Sequence, residues 1–194
     1  MRDIPQLFRP LVLRGIQTRN RVVISPMCQY SAHEGHMDDW HLVHLGRFAI
    51  GGAGIVFTEA TAVQKAGRIT HGCPGLWCDS QIPSHAKVAQ FALRNGAIPA
   101  IQLGHAGRKG GMQRPWHGNG PLNTADFERG DMPWTPVGPS EIPVAEGWPL
   151  PHALTTSEIK NLIKDYVAAA QRALAAGYKI AEIHGAHGYL VHSF

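Results

Sequence analysis

Apolar positions gather into four short runs separated by longer amphipathic stretches. Arg21–Met27 (RVVISPM), Gly54–Ala60 (GIVFTEA), Ile98–Gly104 (IPAIQLG) and Lys179–His184 (KIAEIH) are β-branched or apolar through most of their length, the pattern of strands covered on both faces. The stretches between them repeat at helical spacing. Asp39–Ala49 predicts a first helix capped by Asp38 or Asp39. Asp79–Asn95 predicts a second, with Ile82, Ala86, Ala89 and Leu93 on one face and Gly96 as its stop. The third is the best marked. Thr155-Thr156-Ser157-Glu158 is a capping box flanked by Leu154 and Ile159. Ile159, Leu162, Ile163, Tyr166, Val167, Ala170 and Leu174 then share one face until Gly177. Strands alternating with helices predict an α/β fold with a parallel sheet.

Composition narrows the class. The chain has 194 residues, 44% hydrophobic and 16% charged, enough apolar content to fold around a core. Its net charge of +4 is spread along the chain rather than clustered, so no nucleic-acid partner is expected. The longest uncharged apolar run, Phe48–Phe57, is broken by glycines and far shorter than a membrane span. The N-terminal segment MRDIPQLFRP lacks the apolar centre of a secretory leader, and three cysteines (Cys28, Cys73, Cys78) make no complete disulfide framework. A cytoplasmic location is the expectation. Residues 106–153, rich in Gly, Pro and Trp, interrupt the alternation as a long loop excursion within a single domain spanning 1–194.

Candidate chemistry collects at the ends of the strands. Alternation along Lys179–His184 puts Ile180, Glu182 and His184 on one side, and His187 and Tyr189 follow at once in His-Gly-Ala-His-Gly-Tyr. Two imidazoles and a phenol there can hold a carbonyl oxygen and deliver a proton. A pair of metal ligands, or an ordinary polar loop, fits the spacing equally well. Cys28 and Tyr30 end the first strand, and Gln102 and His105 end the third. Polar groups on three strand ends favour one site. No metal centre is expected: His33-Glu34-Gly35-His36 has the wrong spacing for a helical zinc site, and His41 and His44 read as packing and surface groups. Arg108 and Lys109 read as a solvated basic turn, Cys73 and Cys78 as unpaired thiols, and Trp116, Trp134 and Trp148 as residues able to cover a pocket.

Several segments together resemble the Old Yellow Enzyme family of FMN-dependent ene-reductases, in its cysteine-containing bacterial class with xenobiotic reductases and NADPH dehydrogenases. They are Thr18-Arg-Asn-Arg-Val22, Ser25-Pro-Met-Cys-Gln-Tyr30, Asp39-Trp-His-Leu-Val-His44, Gly51-Gly-Ala-Gly54 and Thr58-Glu-Ala-Thr61. Gln102-Leu-Gly-His-Ala-Gly-Arg-Lys109, Pro139-Ser140 and Glu182-Ile-His-Gly-Ala-His-Gly-Tyr-Leu190 complete the set.

The resemblance implies a (β/α)8 barrel, FMN as cofactor, and NADPH or NADH as reductant. It implies that Ser25, Pro26, Met27 and Cys28 line the flavin ring, Pro26 and Met27 through their backbones, with Ala60 and Gln102 also touching it. Tyr30 would border the substrate, His184 and His187 would bind the oxygen of an α,β-unsaturated carbonyl or nitro compound, and Tyr189 would protonate its α-carbon. Such a barrel typically takes about 250 residues, and four strands account for half of one, so the chain is expected to cover about the first four βα units. The alternative implied is a truncated half-barrel, inactive alone, that at most associates with a complementary half. The expected ligand is a small electrophilic alkene; full-length members are expected to be homo-oligomers.

Overall fold

The computed structural model describes residues 4–194; the first three residues of the segment read for a leader lie outside it. The chain opens with an antiparallel hairpin, β1 (Leu11–Leu13) and β2 (Ile16–Thr18), turned at Arg14-Gly15, both at positive φ. The main sheet holds β3 (Val23–Ile24), β4 (Ile55–Ala62), β5 (Ile98–Gly104) and β8 (Ile180–Ile183) in the order β3-β4-β5-β8, every pair parallel. Helices α1 (Asp39–Ile50), α2 (Ile82–Arg94) and α4 (Thr156–Ala176) connect successive strands. The excursion before α4 contains the short helix α3 (Thr124–Glu128) and the parallel pair β6 (Val137–Gly138) and β7 (His152–Ala153).

Local chemistry explains the boundaries. Asp38 caps α1 by accepting from Trp40 N, and Thr155 accepts from Glu158 N while the Glu158 carboxylate takes the Thr155 N–H and hydroxyl. Gly177 ends α4 at φ 100°. Two expectations are corrected. The first strand, expected over Arg21–Met27, pairs only at Val23–Ile24, because Pro26 has no N–H to give a ladder and the chain turns away. The second helix, expected from Asp79, begins with a 3-10 turn at Asp79–Gln81 and becomes α-helical at Ile82, with Pro83 in its first turn.

Two apolar clusters hold the layers together. Leu76, Ile101 and Leu103 pack with Ala89 of α2 and Ala169, Ala173 and Ala176 of α4. Leu45, Ala49, Val56, Val88 and Ala92 join α1, β4 and α2. Burying each of the larger side chains contributes roughly 1.5–3 kcal/mol. Arg19 adds a staple. Its guanidinium donates to Ala49 O, Ala53 O and Asn95 O, carbonyls at the C-terminal ends of α1 and α2 where a cation is favoured.

The face expected to bury α4 is only partly buried. Leu162 lies against the core, but Ile163, Val167 and Leu174 are exposed, and the alanines carry the contact instead. The reason is the sheet. β8 pairs on one side only, leaving Ile183 64% exposed beside Ile163 and Val167 in an apolar groove of about 400 Å³. β3 is likewise unpaired on its outer side, where Val23 is half exposed.

Candidate active site

Parallel strands put all their C-terminal ends on one rim, and there the described residues enclose a cleft of about 510 Å³. Ser25, Pro26, Cys28 and Ala60 contribute to its lining. Gln102 and Glu182 meet across neighbouring strands. They are register partners of β5 and β8, and Gln102 Nε2 donates to Glu182 Oε1 at 2.8 Å. Glu182 thus faces the cleft together with His184, the residue alternation puts on its side. Among the described residues the side-chain Oε1 of Gln102 accepts from no partner.

His184, His187 and Tyr189 converge at the mouth. The His184 and His187 ring centres are 5.1 Å apart with planes at 85°, and Tyr189 stands edge-on to both, 5.1 Å from His184 and 6.2 Å from His187. The loop is sharply wound: His187 and Gly188 have φ of 59° and 68°. It is fastened by Leu190 N donating to His105 O at 3.0 Å and by Lys109 Nζ donating to His187 O at 2.6 Å. Gly107, at φ 60°, permits this approach, since a Cβ there would sit 2.9 Å from the Leu190 backbone.

Burial and the neighbouring His187 hold the His184 pKa below its ordinary value, against the pull of Glu182. At neutral pH its imidazole is therefore uncharged. Burial, with Cys28 and Cys73 adding to it, pushes the Tyr189 phenol up, so it keeps its proton. Cys28 behaves alike: burial first, then Cys73 and Glu59, raise its pKa and keep the thiol protonated.

The structure thus brings together Ser25, Pro26, Cys28, Tyr30, Ala60, Gln102, His184, His187 and Tyr189. The Met27 side chain stays outside the lining and is 41% exposed. His105, expected on the rim, is instead buried, bonded to Gln64 Oε1 and the Gly107 N–H, and braces the loop from behind. His41 and His44 are both buried in packing rather than at the surface. Lys109 is no solvated turn residue. Its ammonium lies 5.7 Å over the Tyr189 ring as well as on His187 O. Trp116 meets the Tyr30 ring edge-on at 6.2 Å, while Trp134 packs on His71 and within 5.1 Å of Arg68, away from the cleft. The three cysteines are unpaired.

Two residues of the cleft and its support had no assigned role in the sequence reading. Ile69 completes the lining. Glu59, 3% exposed, is the extra residue of a β-bulge in β4 between Thr58 and Ala60 and lies behind the Cys28–Tyr30 segment. The signal for Glu59 was present: a carboxylate inside an otherwise buried strand is rare unless it has work to do.

A flat heteroaromatic ring suits this cleft. Ser25, Pro26, Cys28 and Ala60 bring only short side chains to its lining, and the Gln102 amide can meet a ring edge that alternates donor and acceptor. No lysine or arginine lines it, so a phosphate finds no cation among the lining residues.

Comparison with known proteins agrees with this geometry. A family model described as the NADH:flavin oxidoreductase / NADH oxidase family matches residues 6–194. An NADH:flavin oxidoreductase of Gibberella zeae is 44% identical over 97% of the chain and 46% of its own length. An NADPH dehydrogenase of Bacillus velezensis is 39% identical, over 97% of the chain and 51% of its own length. Among solved structures, the old yellow enzyme from Trypanosoma cruzi superposes with a TM-score of 0.77 at 28% identity, over 96% of the chain and 52% of that structure. The chain spans about half the length of these relatives.

Proposed function

The chain belongs to the NADH:flavin oxidoreductase / NADH oxidase family, and on that premise we propose that its cleft is the flavin-ring and substrate half of an ene-reductase site. The reaction read from it is reduction of the C=C bond of an α,β-unsaturated carbonyl or nitro compound, with NADPH or NADH as the source of electrons. FMN, when bound, would accept hydride from the nicotinamide and pass it to the β-carbon of the alkene.

The observation that carries this reading is the convergence of His184, His187 and Tyr189 on one mouth beside the hydrogen-bonded Gln102–Glu182 pair. Ser25, Pro26, Met27, Cys28, Ala60 and Gln102 would hold the ring, Met27 through its backbone. The imidazole N–H groups of His184 and His187 would donate to the acceptor oxygen, and these bonds strengthen as negative charge develops there. Tyr189, held protonated by burial, would give its proton to the α-carbon. Lys109 lies close enough to the Tyr189 ring to steady the resulting phenolate. Tyr30 would flank the substrate opposite this group. The deciding experiment is anaerobic: flavin-loaded protein is bleached by NADPH, then an enone is added. Return of the yellow colour with a reduced product supports the reading, and a flavin that stays reduced counts against it.

A second reading is favoured by the unpaired outer edges of β3 and β8 and the apolar groove beside β8. In it the chain alone is inactive and gains activity when a complementary half-barrel covers those edges. Recovery of flavin binding only on mixing with such a half would support it.

A further inference from the structure

Tyr30 is held in a conformation it would not adopt unaided. Its φ is 53°, the left-handed region that is strained for a bulky side chain. Such a residue stays put only where its surroundings hold it, and here they hold both sides of the peptide. On the amide side, Glu59 Oε2 accepts from Gln29 N at 2.9 Å, and the Tyr30 N–H also acts on the same carboxyl. On the carbonyl side, Arg114 Nε donates to Tyr30 O at 3.3 Å, with Arg114 itself paired to Asp131 at 2.5 Å. The bulge in β4 is what turns Glu59 toward this segment, since it interrupts the ladder between Thr58 and Ala60.

We propose that Glu59 and Arg114 are positioning residues that clamp the Gln29–Tyr30 peptides and thereby set the Cys28 thiol and Tyr30 phenol against the cleft. The proposal rests on the reading of the cleft as the flavin and substrate site. Glu59 is the half of the clamp that responds to pH. It has no Lys or Arg ion pair among the described residues, and burial pushes its pKa up to about 8 despite the bonds from Gln29 and Tyr30. The titratable groups around it are Cys28 on the segment it holds, Cys73 after β4, Tyr178 before β8, and His41 of α1.

His41 completes the arrangement. It is fully buried, its Nδ1 lies on Asp38 N and Asp38 Oδ1, and its Nε2 is 3.6 Å from Glu59 Oε1 with no hydrogen-bond partner. A carboxyl that loses its proton finds that nitrogen waiting, while the carboxylate accepts more strongly from Gln29 and Tyr30. The clamp therefore tightens as pH rises through the Glu59 transition.

The test is an NMR titration of the 194-residue chain without flavin, so that its result is separate from whether the cleft binds FMN. The Gln29 and Tyr30 amide resonances should shift together with a midpoint near pH 8. In Glu59→Gln the shift should vanish while slow exchange of the Gln29 amide persists, because a carbonyl oxygen still accepts. In Glu59→Ala the Gln29 amide should exchange at least tenfold faster with the β5 amides unchanged, and iodoacetamide should alkylate Cys28 faster. Absence of the midpoint in the wild-type chain overturns the proposal even if both variants fail to fold. Persistence of the midpoint in Glu59→Gln, or unchanged Gln29 exchange in Glu59→Ala, also overturns it.

Discussion

The imidazoles of His184 and His187 stand edge to face, 5.1 Å between centres and 85° between planes. In that arrangement neither ring stacks over the other, and the His184 ring is kept neutral by burial and by its neighbour. A neutral His184 N–H can then share one oxygen with His187 without bringing a charge of its own into the site. A hydrogen bond to an oxygen gaining charge contributes about 1.5–3 kcal/mol.

Replacing either histidine should therefore weaken binding of a phenol or enone roughly ten- to hundredfold, and the flavin should remain bound. Ligand titration followed by flavin absorbance separates the two effects. Loss of flavin together with ligand would place the histidines in cofactor binding instead.

Tyr189→Phe removes the proton donor and keeps the ring. General-acid work of this kind is worth about 10²–10⁴-fold, so oxidation of the reduced protein by an enone should slow by that order. Reduction by NADPH should change little. Stopped-flow measurement of the two half-reactions decides it, since an equal loss in both denies Tyr189 its assigned role.

Cys28 bears a thiol held protonated by its surroundings, chiefly by burial. Cys28→Ala should leave the circular dichroism spectrum unchanged and move the flavin midpoint potential by on the order of 30 mV, a tenfold change in a two-electron equilibrium. Spectroelectrochemistry reads it, and an unmoved potential would remove the thiol from redox tuning.

Stability should peak near neutrality for reasons visible in the core. Burial lowers His85 to about 3 and His105 to about 4. An unfolded chain takes up those protons near pH 6.5, so stability falls as pH drops below that value. Glu59 acts in the opposite sense. Its carboxyl stays protonated when folded up to about 8, whereas the unfolded one ionises near 4.3, so stability also falls as pH rises from the acid range toward 8. Between about pH 4.5 and 6.5 His85 and His105, joined in the same sense by His41, His44, His71 and His184, outweigh the one carboxyl, so stability rises with pH there; above 6.5 Glu59, and near pH 9 the raised thiols of Cys28 and Cys73, turn it down. Urea midpoints across pH 5–9 should trace a maximum near 6.5, and Glu59→Gln should flatten its alkaline side. A profile rising steadily to pH 9 contradicts this assignment.

Much of this was legible from periodicity. Ile98–Gly104 forms over the expected residues, and the Thr155 box starts α4 where its side chains demand, because both signals are local. What failed depended on neighbours. Pro26 cut β3 short, and the α4 stripe of Ile163, Val167 and Leu174 stayed exposed where β8, among the described residues, pairs with β5 alone. In the site, strand alternation put Glu182 and His184 correctly inward, yet Lys109 and His105 exchanged the roles their spacing suggested. Only the fold of the loop after β5 shows that Lys109 reaches His187 O while His105 turns back to Gln64. Glu59 stood in plain view as a charge in a buried strand, but its partner on Gln29 is 30 positions away.

The most direct test of the central claim asks whether the cleft lined by Ala60 receives the flavin ring. The purified chain is mixed with FMN, and with riboflavin because no cation lines the cleft, then passed over a gel-filtration column with absorbance followed at flavin and protein wavelengths. Flavin should travel with the wild-type chain and with His184→Ala, and should be lost from Ala60→Trp, whose indole would occupy the cleft that Ala60 lines. Flavin that elutes free of the wild-type chain, or that Ala60→Trp retains as well as the wild type does, would contradict the assignment.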